Sequence, residues 1–411
     1  MAGLVVKIPS DILYRNLFLR TLSHSSSLGA DSSECFHALQ KAEPITPSSW
    51  ASAWSELAGR LDRHAASLLS HEIPQKESAR LAYLRASNYH RTAFAPHFGY
   101  PLDTALVLPS YKAMSASFAK AAQLFEPPFI PVNVPFKGVT LTGYLANPPR
   151  TSPPNGRLMV IIGGYDAPKE ELFYFCAHHA LARRYSVFFF DGPGQGGVLL
   201  ESALTLSHNY DEVLALCLQE VAQHGTWAKT VVMGLSLGGL LCLRAVASAQ
   251  TQSLVHAVIA DPGELNLMDA FRARLPFPQS ICDQLPDGPA WAVIITNFIL
   301  NRMVAAQNMG GWVLRRSLLV HGCETPLAWV HSLKGFDNEP FLGQITIPTL
   351  VVQAEKDVIG IQAPQVYEKL VRCEKREFML FTDEEGAGDH CEMGGRMYFS
   401  EKVFTWLDSV L

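Results

Sequence analysis

One serine lies in a sequence context that could make it a nucleophile. Gly234-Leu235-Ser236-Leu237-Gly238 follows an apolar run, Thr230–Met233, and precedes a helix-like segment, Leu240–Ala249. This pattern predicts a strand, a tight turn and a helix, with Ser236 at the apex of the turn. The two glycines that flank the serine allow a turn that side chains would block, and the turn lifts the hydroxyl clear of a sheet. The segment therefore predicts a nucleophile for acyl transfer.

A serine hydroxyl is a weak nucleophile, so the chain must also supply a base and an acid that orients it. Asp357 and His390 each come after a short apolar run, and His390 ends a glycine-rich loop. The chain order serine, acid, histidine is typical of α/β-hydrolase sites, and the carboxyl ends of parallel strands meet at one edge of a sheet. The pattern predicts Ser236, Asp357 and His390 as a catalytic triad. Asp261, after another apolar run, is an alternative acid.

Two backbone N–H groups are predicted to stabilise the oxyanion that such an attack creates. Gly163-Gly164-Tyr165 follows the apolar run Leu158–Ile162, and its glycines allow the backbone to approach the serine closely. The N–H groups of Tyr165 and Leu237 are the candidate donors. The segment 191–196, Asp-Gly-Pro-Gly-Gln-Gly, lacks the Lys-Ser/Thr ending of a phosphate-binding loop and is interpreted as a structural turn.

The composition limits the class of protein. The chain has 411 residues, 48% of them hydrophobic and 17% charged, which predicts a large buried core. A formal net charge of −5 without a basic patch argues against nucleic-acid binding. No group of histidine, cysteine and acidic residues has metal-ligand spacing, so we expect no metal and no other cofactor. Eight cysteines without a C-x-x-C pair predict buried free thiols in a reducing compartment.

The apolar stretches bear on location and partners. Met1–Ser10 lacks the apolar core and cleavage site of a signal peptide. Trp291–Leu300, the most apolar stretch, is too short to span a bilayer. We therefore expect a cytoplasmic protein without membrane insertion. The oligomeric state is left open, with a homodimer among the compatible states.

Four segments are predicted along the chain. Residues 1–125 show helical periodicity and are predicted to form an N-terminal cap region, and the proline-rich stretch 126–135 marks its end. Short apolar runs alternate with helix-like segments over 126–264 and again over 344–411, which predicts two parts of one mostly parallel, doubly wound sheet. Residues 265–343 are too long for an ordinary crossover and predict a helical lid.

The elements that must position the candidate residues follow from the same periodicities. The predicted strands are Val139–Leu145, Leu158–Ile162, Ser186–Phe190, Val231–Met233, Ala257–Ala260, Thr349–Val352 and Phe378–Phe381. Besides the helix after the serine, the clearest predicted helices are Trp54–Leu69, Ser78–Phe94, Leu172–Ala182 and Asp211–Gln223.

Several motifs together resemble a known group. The chain contains, in order, Ala79–Tyr89, Gly163–Asp166, Asp191–Gly196, Gly234–Gly239 and Gly388–Cys391. These resemble the fungal α/β-hydrolases of the yellowish-green pigment hydrolase type, which act in melanin polyketide synthesis. The bacterial 2,6-dihydropseudooxynicotine hydrolase is similar in organisation. The resemblance, from about Trp54 to the C-terminus, implies an α/β-hydrolase fold whose helical N-terminal region and lid close over the active site.

The resemblance also implies an activity. It implies hydrolysis of a carbon–carbon bond in a β-dicarbonyl or polyketide, or of an ester or thioester, in secondary metabolism. The roles of nucleophile, acid, base and oxyanion donors fall on the residues already named. Arg85, Asn88 and Tyr89 are candidates for substrate contact, and helix packing is the alternative that we favour for at least one of them.

Other functions stay open. A water-excluding lid would favour transfer of the acyl group to an internal alcohol or carbon, which makes a cyclase or transferase, and a pocket of this kind could also promote pericyclic or proton-transfer chemistry without acylation. Alternatively, the fold could bind a small molecule without catalysis. The intact order of serine, acid and histidine favours a hydrolase that acts on a bulky, largely apolar polyketide-like molecule.

Overall fold

A central sheet organises the structure, a computed structural model that describes residues 7–151, 154–275, 277–357 and 360–411. Its strands in the described residues are β1 (Ile130–Phe136), β2 (Val139–Ala146), β3 (Arg157–Ile162), β4 (Ser186–Phe190), β5 (Lys229–Leu235), β6 (Ala257–Asp261), β7 (Thr349–Ala354) and β8 (Arg376–Phe381). They lie in the order β1-β2-β4-β3-β5-β6-β7-β8. β2 pairs antiparallel with β1 and β4, and the other neighbours are parallel. The predicted mostly parallel sheet is confirmed.

The central strands are mostly apolar, with polar residues at their ends, because helices cover both faces of the sheet. In β3, Met159 and Ile161 pack into the apolar cluster on one face, whereas Val160 and Ile162 pack into the cluster on the other. This alternation is the two-residue period of a strand, with both sides buried. A rigid, doubly covered sheet fixes the positions of the loops at its carboxyl edge.

One strand lies in the proline-rich segment for which the sequence predicts only a boundary. The prolines of 126–135 argued against ladder pairing, yet β1 pairs with β2 along its length. Pro131 and Pro135 fall on the exposed positions of an alternating burial pattern. Because β1 is an edge strand, its outer side needs no ladder donors, and proline is tolerated there.

Five helices precede the sheet in the described residues. They are α1 (Ile12–Ser23), α2 (Ser32–Lys41), α3 (Pro47–Leu69), α4 (Lys76–Phe94) and α5 (Thr104–Gln123). The Thr46 side chain accepts the Ser49 N–H and the Ser49 side chain accepts the Thr46 N–H, which explains why α3 begins there. The helices predicted from the sequence in this region lie within α3 and α4.

The helices of the first half of the sheet follow next. They are α6 (Lys169–Leu172), α7 (His178–Ala182), α8 (Gly196–Ser202), α9 (Tyr210–Val221), α10 (Leu237–Ala245) and α11 (Ala249–Gln252). A π-helical stretch, Phe173–Ala177, joins α6 to α7, where the sequence predicts one continuous helix. The helix predicted after the serine is divided between α10 and α11.

The segment between β6 and β7 is helical. It contains α12 (Leu267–Arg272), α13 (Gln279–Cys282), α14 (Ala290–Ala305), α15 (Met309–His321), α16 (Pro326–Ser332) and α17 (Glu339–Leu342), and α18 (Ala363–Lys369) and α19 (Arg396–Val410) complete the chain. Among the described residues, no helix combines the length and apolarity needed to cross a bilayer. All eight cysteines lie in the described ranges and are free, and all but Cys323 are buried.

The two helical regions pack on each other. Trp312 of α15 is 3% exposed and belongs to one apolar cluster with Leu13 and Leu17 of α1. Its indole N–H donates to the carbonyl oxygen of Ala95, just after α4, at 2.9 Å. Helices α1 and α15 therefore meet above the sheet, over the edge where the catalytic candidates lie.

Candidate active site

Side chains from three strand ends meet at this edge of the sheet. Ser236 follows β5, Asp357 follows β7 and His390 follows β8. His390 Nε2 lies 2.9 Å from Ser236 Oγ, and His390 Nδ1 lies 2.7 Å from Asp357 Oδ2. Because a carboxylate only accepts, Nδ1 donates to Asp357 and Nε2 is left to accept the serine proton. This is the geometry of a nucleophile, its base and an orienting acid.

The turn that carries Ser236 leaves no room for side chains on either flank. A Cβ on Gly234 would lie 1.9 Å from Gly238 O, and one on Gly238 would lie 2.3 Å from Ile162 O. Ser236 itself has φ 57° and ψ −128°, a strained conformation for a residue with a Cβ. Its N–H donates to Asp261 O at 2.6 Å, which anchors the strained residue to β6. The serine stays half-buried with its side chain on a cavity wall.

Electrostatics favour a histidine that can hold a proton. Burial disfavours the imidazolium, but Cys391 and the Asp357 carboxylate outweigh it, and the pKa of His390 is raised well above its ordinary value. Asp357 is 5% exposed, and its Oδ1 accepts the Gly360 N–H at 3.1 Å. Burial raises the pKa of nearby Glu264 to about 8, with a further contribution from Asp357. Asp357 therefore holds the histidine, while Glu264 is mostly protonated at pH 7.

The predicted oxyanion donors border the serine. A Cβ on Gly164, the residue before Tyr165, would lie 2.7 Å from Ser236 Cβ, so this loop passes directly against Ser236. Helix α10 begins at Leu237, and the first N–H of a helix has no acceptor within that helix. Gln195, from the turn after β4, donates from Nε2 to Gly164 O at 3.2 Å and supports the loop. The segment 191–196 is thus a structural turn beside the site.

A cavity of about 210 Å³ opens onto Ser236 and His390. Two helices form its other walls: α1 contributes Leu13, Leu17 and Arg20, and α15 contributes Met309, Trp312 and Arg316. The walls are mostly apolar, and charged side chains lie among them. An apolar cavity over an aligned serine, histidine and aspartate can bind an acyl compound and exclude water from it.

The sequence between β3 and the histidine loop matches a known family. Residues 159–393, more than half of the chain, match the model of the alpha/beta hydrolase family. The chain belongs to the alpha/beta hydrolase family. Both the predicted fold class and the predicted family are confirmed.

Curated relatives of this alpha/beta hydrolase come from fungi. Hydrolase LUC6 of a Fusarium species is 31% identical over 414 residues, which cover 95% of this chain and 94% of the relative. The 20-hydroxy-prefusarin hydrolase FUS2 of Gibberella moniliformis is 29% identical over 95% of each chain. Hydrolase acrC of Aspergillus aculeatus is 27% identical over 97% of this chain and 96% of the relative. The resemblance to fungal α/β-hydrolases is confirmed.

Solved structures share the fold over nearly the whole chain. A 2,6-dihydroxy-pseudo-oxynicotine hydrolase superposes with a TM-score of 0.72 at 19% identity, covering 95% of each chain. AbyA5 superposes with a TM-score of 0.62 at 16% identity, covering 96% of this chain and 93% of that chain. The helical N-terminal region is thus part of the shared fold.

The alternative acid of this alpha/beta hydrolase faces a different partner. Asp261 Oδ2 lies 3.3 Å from Arg396 Nη1, and the same Nη1 lies 3.3 Å from Glu392 Oε2. These three side chains are at most 1% exposed. Burial raises the pKa of Asp261, against the opposing effect of Arg396. The carboxyl group that bonds His390 is that of Asp357, the predicted acid, whereas the alternative acid Asp261 bonds Arg396 instead.

Replacing Arg396 with methionine is expected to lower the free energy of unfolding by about 3–5 kcal/mol. The change leaves the carboxyl groups of Asp261 and Glu392 buried without their guanidinium, and removes the donors that reach Phe175 O at 3.1 and 2.9 Å. Urea unfolding measures the loss, with the exposed Arg372→Met as the matched control. An Arg396→Met midpoint equal to that of the control would contradict the expectation.

Arg85, Asn88 and Tyr89 have packing roles, and none of them lines the described cavity. Arg85 Nε and Tyr89 Oη each donate to Glu34 Oε2 at 2.9 Å. Asn88 Nδ2 donates to Gly29 O at 2.8 Å. These bonds tie α4 to the segment that contains α1 and α2. The face of α4 that carries these side chains is turned toward its neighbouring helices, which agrees with the alternative of helix packing, and substrate contact stays a prediction.

The cavity residues that lie outside the motifs could not be identified from the sequence. Arg20 on α1 precedes the region of family resemblance, and Arg316 on α15 lies in the predicted lid without a motif around it. Their distance from Ser236 along the chain gives no signal of proximity. Only the packing of α1 on α15 brings them to the cavity.

Proposed function

We propose that this alpha/beta hydrolase is a serine hydrolase that cleaves a carbon–carbon bond of a β-dicarbonyl, or an ester or thioester, in a polyketide-like substrate. The observation that carries the proposal is the placement of His390 between Ser236 Oγ at 2.9 Å and Asp357 Oδ2 at 2.7 Å. The hydrolase names of the fungal relatives, one of them a 20-hydroxy-prefusarin hydrolase, support it.

The proposed reaction begins with acylation of the serine. His390 Nε2 takes the proton of Ser236 Oγ as the oxygen attacks the substrate carbonyl carbon. The carbonyl oxygen becomes an oxyanion that accepts hydrogen bonds from the N–H groups of Tyr165 and Leu237. Asp357 stabilises the imidazolium that His390 has become.

Collapse of the tetrahedral intermediate breaks the bond to the leaving group. In carbon–carbon cleavage the bonding electrons leave on an enolate, which the second carbonyl of a β-dicarbonyl stabilises, and His390 returns its proton to that carbon. In an ester the leaving alkoxide takes the proton instead. Water, deprotonated by His390, then attacks the acyl group, and the acid and free Ser236 are released.

The size and cover of the cavity constrain how a substrate enters. A volume of about 210 Å³ is below the roughly 300–1,000 Å³ typical of drug-sized ligands. A bulky substrate must therefore extend past the cavity or displace α1 and α15. The cavity wall also includes Lys356 and the exposed Asp389. We expect the part of the substrate farthest from Ser236 to extend out of the cavity on this side.

A cyclase or acyltransferase is the second candidate. The observation in its favour is that α1 and α15 cover the serine with mostly apolar side chains, which restrict the access of water to an acyl-enzyme. Such an enzyme would use the same acylation step and differ only in the acceptor of the acyl group.

Product mass in ¹⁸O-labelled water tests the proposal. Purified protein is incubated with a panel of 4-nitrophenyl esters, N-acetylcysteamine thioesters and acyclic β-diketones. Hydrolysis at the serine predicts an acid product with one ¹⁸O atom from water. An acylated serine together with an unlabelled lactone or cyclised product would support the cyclase instead, and the absence of both acylation and turnover across the panel would contradict both candidates.

A further inference from the structure

Charged side chains from three segments converge at the wall of the cavity that contains Ser236. Arg20 comes from α1, Arg316 from α15 and Asp166 from the loop that follows β3, and all of them line the cavity. Asp166 Oδ2 lies 2.8 Å from Arg20 Nη1 and 3.0 Å from Arg316 Nη1. One carboxylate is therefore shared by two guanidinium groups.

A second carboxylate lies behind this group. Glu171 Oε1 accepts from Arg20 Nε at 2.7 Å and lies 3.2 Å from Arg91 Nε. Although burial opposes ionisation, Arg20 and Arg91 hold the pKa of Glu171 well below its ordinary value, so it is charged. His24 contacts the same carboxylate at 3.0 Å, but burial lowers its pKa to about 4 and it is neutral at pH 7.

The charges of this cluster do not cancel. The three guanidinium groups of Arg20, Arg91 and Arg316 face two carboxylates, those of Asp166 and Glu171, among the described residues. Burial and then the repulsion from neighbouring Arg20 lower the pKa of Arg91 to about 10, which still leaves it protonated at pH 7. The five groups thus carry one net positive charge, although each guanidinium group bonds a carboxylate. An anion bound in the cavity would balance it.

Of the arginines that line the cavity, Arg316 makes fewer hydrogen bonds than Arg20. Arg20 already bonds both carboxylates, whereas Arg316 bonds only Asp166, and its Nε has no hydrogen-bond partner among the described residues. The Arg316 guanidinium lies 4.6 Å from the Trp312 ring centroid and 5.6 Å from that of Tyr165. Both rings lie within cation–π distance of the group and help to hold it beside the cavity. A guanidinium held in place suits directional recognition of a carboxylate or enolate.

The charge cluster also lies next to the proposed oxyanion site. Asp166 directly follows Tyr165, the proposed oxyanion donor. A carbonyl bound at the oxyanion site would therefore place a neighbouring oxygen of the substrate toward Arg316.

We propose that Arg316, supported by Arg20, binds an anionic oxygen of the substrate, so that the preferred substrates are acyl compounds that carry a carboxylate or an enolate. This inference rests on the proposed function, because it describes the substrate of the same serine site. A carboxylate and an enolate share one chemistry: each is a delocalised oxygen anion that accepts hydrogen bonds from a guanidinium group.

A pair of esters of equal length tests the inference. Mono-4-nitrophenyl glutarate carries a carboxylate, and 4-nitrophenyl pentanoate is its neutral counterpart. Arg316→Gln is expected to lower kcat/KM for the glutarate ester by roughly 10–100-fold, since hydrogen bonds to charged groups carry the difference, while the pentanoate ester changes by less than about 3-fold. Arg316→Lys keeps the charge and should restore part of the loss. Arg302→Gln, an exposed arginine of α14, is the matched control for net charge.

Inhibitors separate the two sources of the anion. Glutarate and the enolate of 5,5-dimethyl-1,3-cyclohexanedione are compared as competitive inhibitors of pentanoate hydrolysis. Weakening of either by Arg316→Gln supports the inference and identifies the preferred anion. Equal losses on both esters, or an unchanged glutarate ester, would overturn it. If no ester is hydrolysed the proposed function fails separately, and calorimetric binding of the same two anions to wild type and Arg316→Gln still decides this inference.

Discussion

Replacing Ser236 with alanine is expected to lower kcat/KM for ester hydrolysis by roughly 10⁴–10⁶-fold, the range seen when the nucleophile of a serine hydrolase is removed. Without Oγ no acyl-enzyme can form, although the oxyanion donors and the cavity remain. Initial rates measure the loss. The intact-protein mass after incubation with a fluorophosphonate gives a second readout, because the wild type should gain a single adduct and the variant none.

The fold should survive this substitution. Alanine removes only the hydroxyl, and the N–H of residue 236 still donates to Asp261 O. The unfolding midpoint of Ser236→Ala should therefore match that of the wild type, and exposed Ser253→Ala is the control for loss of a hydroxyl elsewhere. Undiminished hydrolysis by Ser236→Ala, or an adduct retained on it, would contradict the role of Ser236 as nucleophile.

The candidate nucleophile and base could be placed from the sequence because their signals are local. The turn at Ser236 is encoded by glycines whose replacement would force atoms within 2.3 Å of each other, so the motif and its geometry are inseparable. Asp357 and His390 could be placed because each follows an apolar run, and the carboxyl ends of parallel strands meet at one edge. In this fold β5, β6, β7 and β8 are consecutive neighbours, which brings those ends together.

The walls of the site could not be predicted in the same way. Periodicity identifies a helix and its apolar face, but the partner of that face depends on tertiary packing. The side chains of α4 were candidates for substrate contact, whereas α1 and α15 supply the cavity residues. The charge cluster joins Arg20, Asp166 and Arg316, which lie far apart in sequence and share no motif. Likewise, Asp261 and Asp357 both follow buried strands, and only side-chain direction distinguishes them.

Replacing Asp357 with asparagine is expected to lower kcat/KM by roughly 10⁴-fold, the loss seen when the acid of a comparable triad becomes an amide. The asparagine amide donates where the carboxylate accepted, so His390 Nδ1 becomes the acceptor and Nε2 carries the proton. A protonated Nε2 cannot take the proton of Ser236, and it no longer acts as a base. Initial rates with the ester panel measure the effect.

The pH profile adds a readout that distinguishes this electrostatic role from a structural one. In the wild type the raised pKa of His390 keeps the imidazole protonated up to a higher pH than usual. Because the protonated ring cannot act as a base, kcat/KM should fall as the pH drops through this raised pKa. Removing the Asp357 carboxylate removes one cause of that rise, while burial still lowers the pKa, so the acid limb of Asp357→Asn should move to lower pH. Asp261→Asn is the matched control: its carboxyl group bonds Arg396 and acts on His390 only through space, so we expect a loss of stability and a smaller shift of this limb than in Asp357→Asn. A shifted limb in Asp261→Asn and an unshifted one in Asp357→Asn would reverse the assignment of the acid.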